Sequence, residues 1–314
     1  MANIKPHIKN FIGEKKYLAI RRRAASLIFN YYAIVRRDSV CFKVKSIIET
    51  VDEIIKNRKS VIRFGDGEII IIRGKNIGFQ KSDEKLRNSL IEIASSKSDN
   101  LLLCIPDVFN SLLAYTPPAK LFWESHLLSH RNVWLKYFSI NNIYGNAFIS
   151  RPYMDYKDKV SSKIYFDKIK SIWFERDVIL IEGRYTKNGI NNDLLNGAKS
   201  VNRIICPEKN AFSCVDEVVN EAIKKNNNNL FLVSLGPAAK SIVFELQKKD
   251  YWAIDIGHLD VEYEWYMAKT PTKIAIKGKQ VNEVGVYINT TDNYLLKFNS
   301  QIIYTVKSID KNLN

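Results

Sequence analysis

Asp66 and Glu68 stand two residues apart in SVIRFGDGEIIII, residues 60–72, with Gly65 and Gly67 beside them inside an apolar run. Along an extended strand, side chains at i and i+2 project from one face. That geometry brings both carboxylates to one cation. Asp-Gly between apolar runs also spells a hairpin turn, with Glu68 solvated on its rim. The local sequence leaves both readings open.

Two further stretches carry polar groups at strand ends. In VSLGPAAKSIVFEL a strand is expected to stop at Gly236, with Pro237 at the first helical position. Such a turn presents unpaired backbone N–H groups and a positive helix end to a phosphate, although Gly-Pro also opens many helices that bind nothing. In AIDIGHLDVEYEW, His258, Asp260, Glu262 and Glu264 follow an apolar strand. They share one face if the chain continues extended, and pair at i, i+4 if it turns helical. Either arrangement gathers groups suited to general acid–base work. His126 and His130 lie at i, i+4 on an expected helix, without the HExxH pattern of a metal site, so they read as a surface or core pair.

Elements that would position these residues follow from periodicity. Apolar runs at 177–182, 202–206, 229–235 and 251–256 alternate with expected helices near 192–199, 212–225 and 238–249. Alternation of this kind predicts an α/β fold, a mostly parallel Rossmann-like sheet with helices on both faces. Ligands bind such sheets at the carboxyl ends of the strands, where Arg184, Asn210, Gly236, His258 and Asp260 fall. Earlier in the chain, residues 101–105 read as a buried strand, and a helix is expected to open at Ser82 with Asp83 and Glu84 in its first turn.

Three segments are expected: a basic helical extension over 1–50, the main domain over 51–290 and a tail over 291–314. The 314 residues carry a formal charge of +15, and residues 1–50 hold eleven Lys/Arg against three acids. Within residues 17–37, apolar positions recur at helical spacing with arginines crowding the ends, which predicts a basic amphipathic helix. That helix either packs on the domain or meets an anionic membrane surface. The four cysteines show no CxxC spacing and read as core residues of a reducing compartment. With no run of 18 apolar residues and no signal-peptide core at the start, a cytoplasmic location is the expectation.

RFGDGE, GRYTKNGINNDLL, ICPEKNAF, SLGPAAK and DIGHLDVEYEW, in this order, resemble the GT-D type glycosyltransferases of bacterial surface-glycan and adhesin-glycosylation clusters. The resemblance runs from residue 50 to 285. It implies a nucleotide-binding Rossmann-like fold and metal-dependent transfer of a hexose, glucose favoured, from a UDP-sugar to a lipid- or protein-linked glycan. Asp66 and Glu68 correspond to the family's DxE motif and would hold Mn²⁺ or Mg²⁺, which neutralises charge developing on the departing diphosphate. Gly65 and Gly67 would let backbone approach the phosphates. Arg63, Arg184, Asn210 and Gly236 complete the expected donor set, and His258 and Glu264, then Asp260, are the catalytic candidates.

Two other function classes compete. A nucleic-acid or anionic-surface binding module would make the charge itself the function, but the charge lies mostly outside the βαβ region and no RRM, KH or helix-turn-helix signature is present. No nucleic-acid partner is therefore expected. A metal-dependent phosphodiesterase would use the same carboxylates, yet nothing in the sequence suggests a second metal cluster. Peripheral contact with the inner membrane face would suit the basic helix.

Overall fold

The computed structural model describes residues 42–285, 287–288 and 293–307, together with residues 16, 19–24 and 27–28. Among the described residues nine strands form one sheet: β1 (Lys43–Val44), β2 (Ser60–Arg63), β3 (Leu101–Ile105), β4 (Ile143–Asn146), β5 (Asp177–Gly183), β6 (Ser200–Cys206), β7 (Leu230–Ser234), β8 (Trp252–Asp255) and β9 (Ile302–Thr305). Their order is β1-β4-β3-β2-β8-β7-β5-β6-β9, and every pairing is parallel. The expected α/β class is what the chain adopts. Its sheet reaches past both ends of the 51–290 segment, since β1 and β9 lie outside it.

Alternate residues of the central strands feed two separate cores. Ile179, Ile181, Phe231 and Val233 join one cluster, while Val178, Leu180, Leu230 and Leu232 join the other. This is the period of two expected of strands covered on both faces. The first cluster takes α2 (Asp66–Ile72), α3 (Glu84–Ser95), α6 (Val215–Ala222) and α7 (Ala238–Gln247). The second takes α1 (Ile47–Asn57), α5 (Ser161–Lys170) and α8 (Leu259–Met267). The long α4 (Pro117–Tyr137), with proline in its first turn, contributes to both. A short α9 (Asn293–Ser300) precedes β9.

Adjacent strands β2 and β8 send their chains to opposite faces, into α2 and α8. A crevice therefore opens above their carboxyl ends, at the topological switch point where such sheets bind ligands.

Several local expectations are corrected. Residues 66–72 form neither an extended strand nor a hairpin: β2 stops at Arg63 and α2 begins at Asp66. Glu68 is the physical reason, because its side chain accepts the Gly65 backbone N–H at 2.8 Å and so closes one half of a capping box. Asp83, not Ser82, caps α3, accepting from the N–H groups of Lys85 and Leu86. Residues 192–199 are turns, not a helix; Asp193 leaves them for Tyr263 and Lys170. Residues 19–24 and 27–28 are helical and exposed, with the Arg22 guanidinium 5.8 Å from the Phe122 ring centre; the rest of the basic amphipathic segment lies outside the described residues. His126 and His130 stack on each other at 4.6 Å, and His126 accepts the Trp134 indole N–H at 3.0 Å, so they form a packed pair.

Candidate active site

The crevice is a cavity of about 430 Å³. Its wall includes Arg63, Gly65, Asp66, Gly67 and Glu68 from the β2–α2 turn, Gly236 and Lys240 from the β7–α7 turn, and Gly257 and His258 from the β8–α8 turn. Four of the expected donor residues, with Asp66 and Glu68, therefore converge.

A chain of charges fixes this floor. The Lys240 ammonium pairs with Glu68 at 2.9 Å and Asp255 at 3.0 Å, and donates to the Gly236 carbonyl at 3.2 Å. Asp255, wholly buried at the end of β8, also takes the Arg63 guanidinium at 2.6 Å. Arg63 Nε donates to the Asp255 carbonyl at 2.8 Å, and another guanidinium N–H reaches the Ser150 hydroxyl. Burial works against the Asp255 charge, but Arg63 and Lys240 hold its carboxyl below the ordinary range. Gly257 makes room for that arginine: its φ is +46°, and a Cβ there would stand 1.9 Å from Arg63 Nη2.

Asp66 and Glu68 do not share a strand face. They occupy the first and third positions of α2, about 200° apart around its axis. Glu68 is committed to Lys240 and to its capping bond. Asp66 makes no ion pair among the described residues; burial raises its pKa, Arg151 opposes that at longer range, and Glu68 adds to it. Such a carboxylate gains most from an incoming cation.

Arg151, Glu283 and His258 form the opposite wall. Arg151 pairs with Glu283 at 2.7 Å and lies 3.9 Å from Glu262. The other Glu283 oxygen is 3.5 Å from His258 Nδ1. Burial outweighs that carboxylate and brings the His258 pKa down to about 4, so the imidazole is neutral near pH 7. Behind them, wholly buried Glu262 accepts the N–H groups of Tyr153 and Met154 on one oxygen, while the other has no hydrogen-bond partner among the described residues. Burial pushes its carboxyl up to about 7.

Four residues expected in the site lie outside the cavity lining. Asp260 and Glu264 both bind Lys279, at 2.6 and 2.7 Å, and Asn192 reaches each of them. This buried cluster anchors the segment that carries Gln280, Asn282 and Glu283 to the cavity. Arg184 pairs with Glu208 at 2.9 Å. Asn210 accepts the Lys81 N–H and donates its own to the Phe79 carbonyl, thereby holding the loop that places Phe79 against Gly236.

A family model described as the glycosyltransferase GT-D fold matches residues 61–284. The chain belongs to the GT-D-fold glycosyltransferases. This GT-D chain is 40% identical over 242 residues to a probable glycosyl transferase Gly of Streptococcus gordonii, covering 76% of the chain and 35% of that protein. It is 39% identical to glycosyltransferase GlyD of Streptococcus pneumoniae, over 77% of the chain and 30% of the relative. The chain thus spans about a third of the length of these curated relatives. Among solved structures, a glycosyltransferase with the DUF1792 domain from Streptococcus sanguinis superposes with a TM-score of 0.80 at 36% identity, over 85% of this chain and all of that one.

Within the GT-D chain, the donor set suits one hard divalent ion in a limited way. No group of three or more His, Cys, Asp or Glu side chains surrounds a common point among the described residues. Mg²⁺-type sites commonly use one or two carboxylates completed by phosphate oxygens and water, and Asp66, with its raised pKa, fits that description. Glu68 joins only if Lys240 yields it.

Lys240, Asp255, Arg151 and Glu283 were not among the residues expected from sequence. Asp255 and Lys240 did leave a signal, each a lone charge in an otherwise apolar run, WAID and AAKSIVF. Arg151 and Glu283 sit in irregular connections, where no periodicity marks them.

Proposed function

We propose that the chain transfers a hexose, glucose favoured, from a UDP-sugar to a lipid- or protein-linked glycan, using Mn²⁺ or Mg²⁺ held by Asp66 with Glu68. The observation that carries the reading is the convergence of Asp66, Gly236 and His258 on one cavity at the β2/β8 switch point, in a chain of GT-D family membership.

In this reading the diphosphate lies between the Gly236 turn and the β2–α2 turn. Backbone N–H groups at the start of α7 face it, and the Arg63–Asp255–Lys240 frame keeps both turns in register. Bound metal would supply charge stabilisation for the leaving UDP. His258, neutral and in the wall, is the candidate to accept the acceptor hydroxyl's proton or orient that hydroxyl. Asp260 and Glu264 contribute by fixing Lys279 and the segment bearing Glu283. No helix among the described residues is long and apolar enough to cross a membrane; the reading places the chain in the cytoplasm, with its basic N-terminal segment at the inner membrane face.

The test is a panel of UDP-sugars with Mn²⁺ and a glycan acceptor, read as released UDP. Turnover with one sugar, abolished in Asp66→Ala, is expected. No UDP release from any donor would overturn the reading.

A further inference from the structure

A second cavity opens on the same end of the sheet, beyond the last residues of β1, β3 and β4. Its volume is likewise about 430 Å³, and its lining includes Ser46, Asp107, Asn146, Tyr156, Lys157 and Tyr165. One aromatic wall stands between it and the first cavity. Phe148 lines the first and packs against the rings of Tyr115 and Tyr156, with centres 5.2 and 5.5 Å away.

The chemistry of this lining is distinctive. The Asp107 carboxylate accepts from the hydroxyls of Tyr115 and Tyr156, and burial raises its pKa. Asn146, at the end of β4, is buried beside it and spends its carbonyl on the Phe148 N–H at 2.8 Å. Lys157, the cation among these lining residues, donates to the Leu113 carbonyl at 2.8 Å. Half-buried Tyr165 adds a ring against Tyr156 at 6.4 Å.

Two carboxylates, Asp107 and Asp158, with an amide, a hydroxyl and tyrosine rings, and Lys157 tied to the Leu113 carbonyl of the same lining, suit a neutral polyhydroxylated ligand. A sugar ring offers C–H faces to aromatic rings and hydroxyls to a carboxylate or amide. A phosphate would find little positive charge here.

We propose that the second cavity binds one neutral sugar ring of the acceptor glycan, further along the chain from the hydroxyl that receives the hexose in the first cavity. The assignment of that acceptor rests on the function proposed above. The wall is two rings thick, Phe148 on the first cavity's side against Tyr156 on the second's, so the ring held in the second cavity belongs to a unit more than one sugar removed from the receiving hydroxyl.

The experiment is saturation-transfer NMR on the full chain with cellobiose, maltose, lactose and diacetylchitobiose, with and without excess UDP. Transfer to at least one disaccharide is expected, it persists with UDP present, and it is about fivefold weaker in Tyr165→Ala and in Asp107→Asn, the loss worth one hydrogen bond or ring contact. Asp107→Asn is nearly isosteric and serves where Tyr165→Ala melts early. Absence of transfer to all four, its abolition by UDP, or equal transfer in a folded variant would overturn the proposal. Calorimetry with UDP plus Mn²⁺ and no sugar on the wild type separates the two readings: no heat there removes the donor assignment, while the sugar arm still decides the second cavity.

Discussion

Replacing Gly257 by alanine should uncouple the floor of the active site. At φ +46° an alanine is held in the left-handed region, and its Cβ would lie 1.9 Å from Arg63 Nη2 and 2.8 Å from Cζ. The backbone contributes about 1 kcal/mol, and the guanidinium must leave Asp255. Losing one partner of a buried pair costs about 3–5 kcal/mol when the remaining charge is stranded. Asp255 keeps Lys240 at 3.0 Å, so about 2–3 kcal/mol is the better figure for that part. The sum, about 3–4 kcal/mol, corresponds to a fall in Tm of roughly 4–6 °C, since 314 residues at about 2.1 cal/mol/K each give an unfolding entropy of about 0.66 kcal/mol/K. Thermal unfolding followed by circular dichroism measures it. A double-mutant cycle supplies the control: on an Arg63→Ala background, Gly257→Ala should cost only the backbone part, leaving a coupling of about 2–3 kcal/mol. A Tm within about 2 °C of wild type, or an unchanged cost on the Arg63→Ala background, would refute the proposed fit between glycine and arginine.

Asp66→Ala should lower UDP release by at least about 100-fold with little loss of stability, whereas Glu68→Ala should lose both, since it also removes the α2 cap and strands Lys240; paired rate and melting measurements separate them. Lys279→Met should destabilise by about 3–5 kcal/mol, read as denaturant midpoint, because it leaves Asp260 and Glu264 facing each other unpaired. The Glu262 carboxyl is raised from its ordinary 4.5 to about 7, so the folded state binds its proton more tightly than the unfolded state does. Its contribution is full below about 4.5 and is lost as pH rises through about 7. Glu262→Gln should therefore flatten the fall in stability over that window, measured as Tm against pH; an unchanged slope would contradict it. His258 titrates near 4, so any acid limb of the turnover profile due to it should lie there and not near the ordinary histidine value.

Strand positions were legible because every central strand is buried on both faces and reads as a continuous apolar run. The convergence of the GDG, GPAAK and GHLD stretches was legible too, since parallel topology sends all carboxyl ends to one edge. What escaped was local geometry decided by side chains. Glu68 turns residues 66–72 into a helix by capping Gly65, which a face-alternation argument cannot register. Residues 192–199 lack their expected helix because their polar groups serve Asp260, Glu264 and Tyr263, distant partners in sequence. Asp260 and Glu264 have acidic character that suits catalysis equally well on paper; their pairing with Lys279, outside the cavity lining, is a contact no local pattern registers.

Calorimetric titration of UDP, with and without Mn²⁺, on the wild type and Asp66→Ala tests most directly whether this cavity is a metal-assisted sugar-nucleotide site. UDP should bind the wild type at least about tenfold more tightly with Mn²⁺ present, the effect of roughly 1.4 kcal/mol from one shared cation, and Asp66→Ala should lose that gain while keeping its metal-free affinity. Equal affinity with and without Mn²⁺ in the wild type, or a gain that survives in Asp66→Ala, would contradict the assignment.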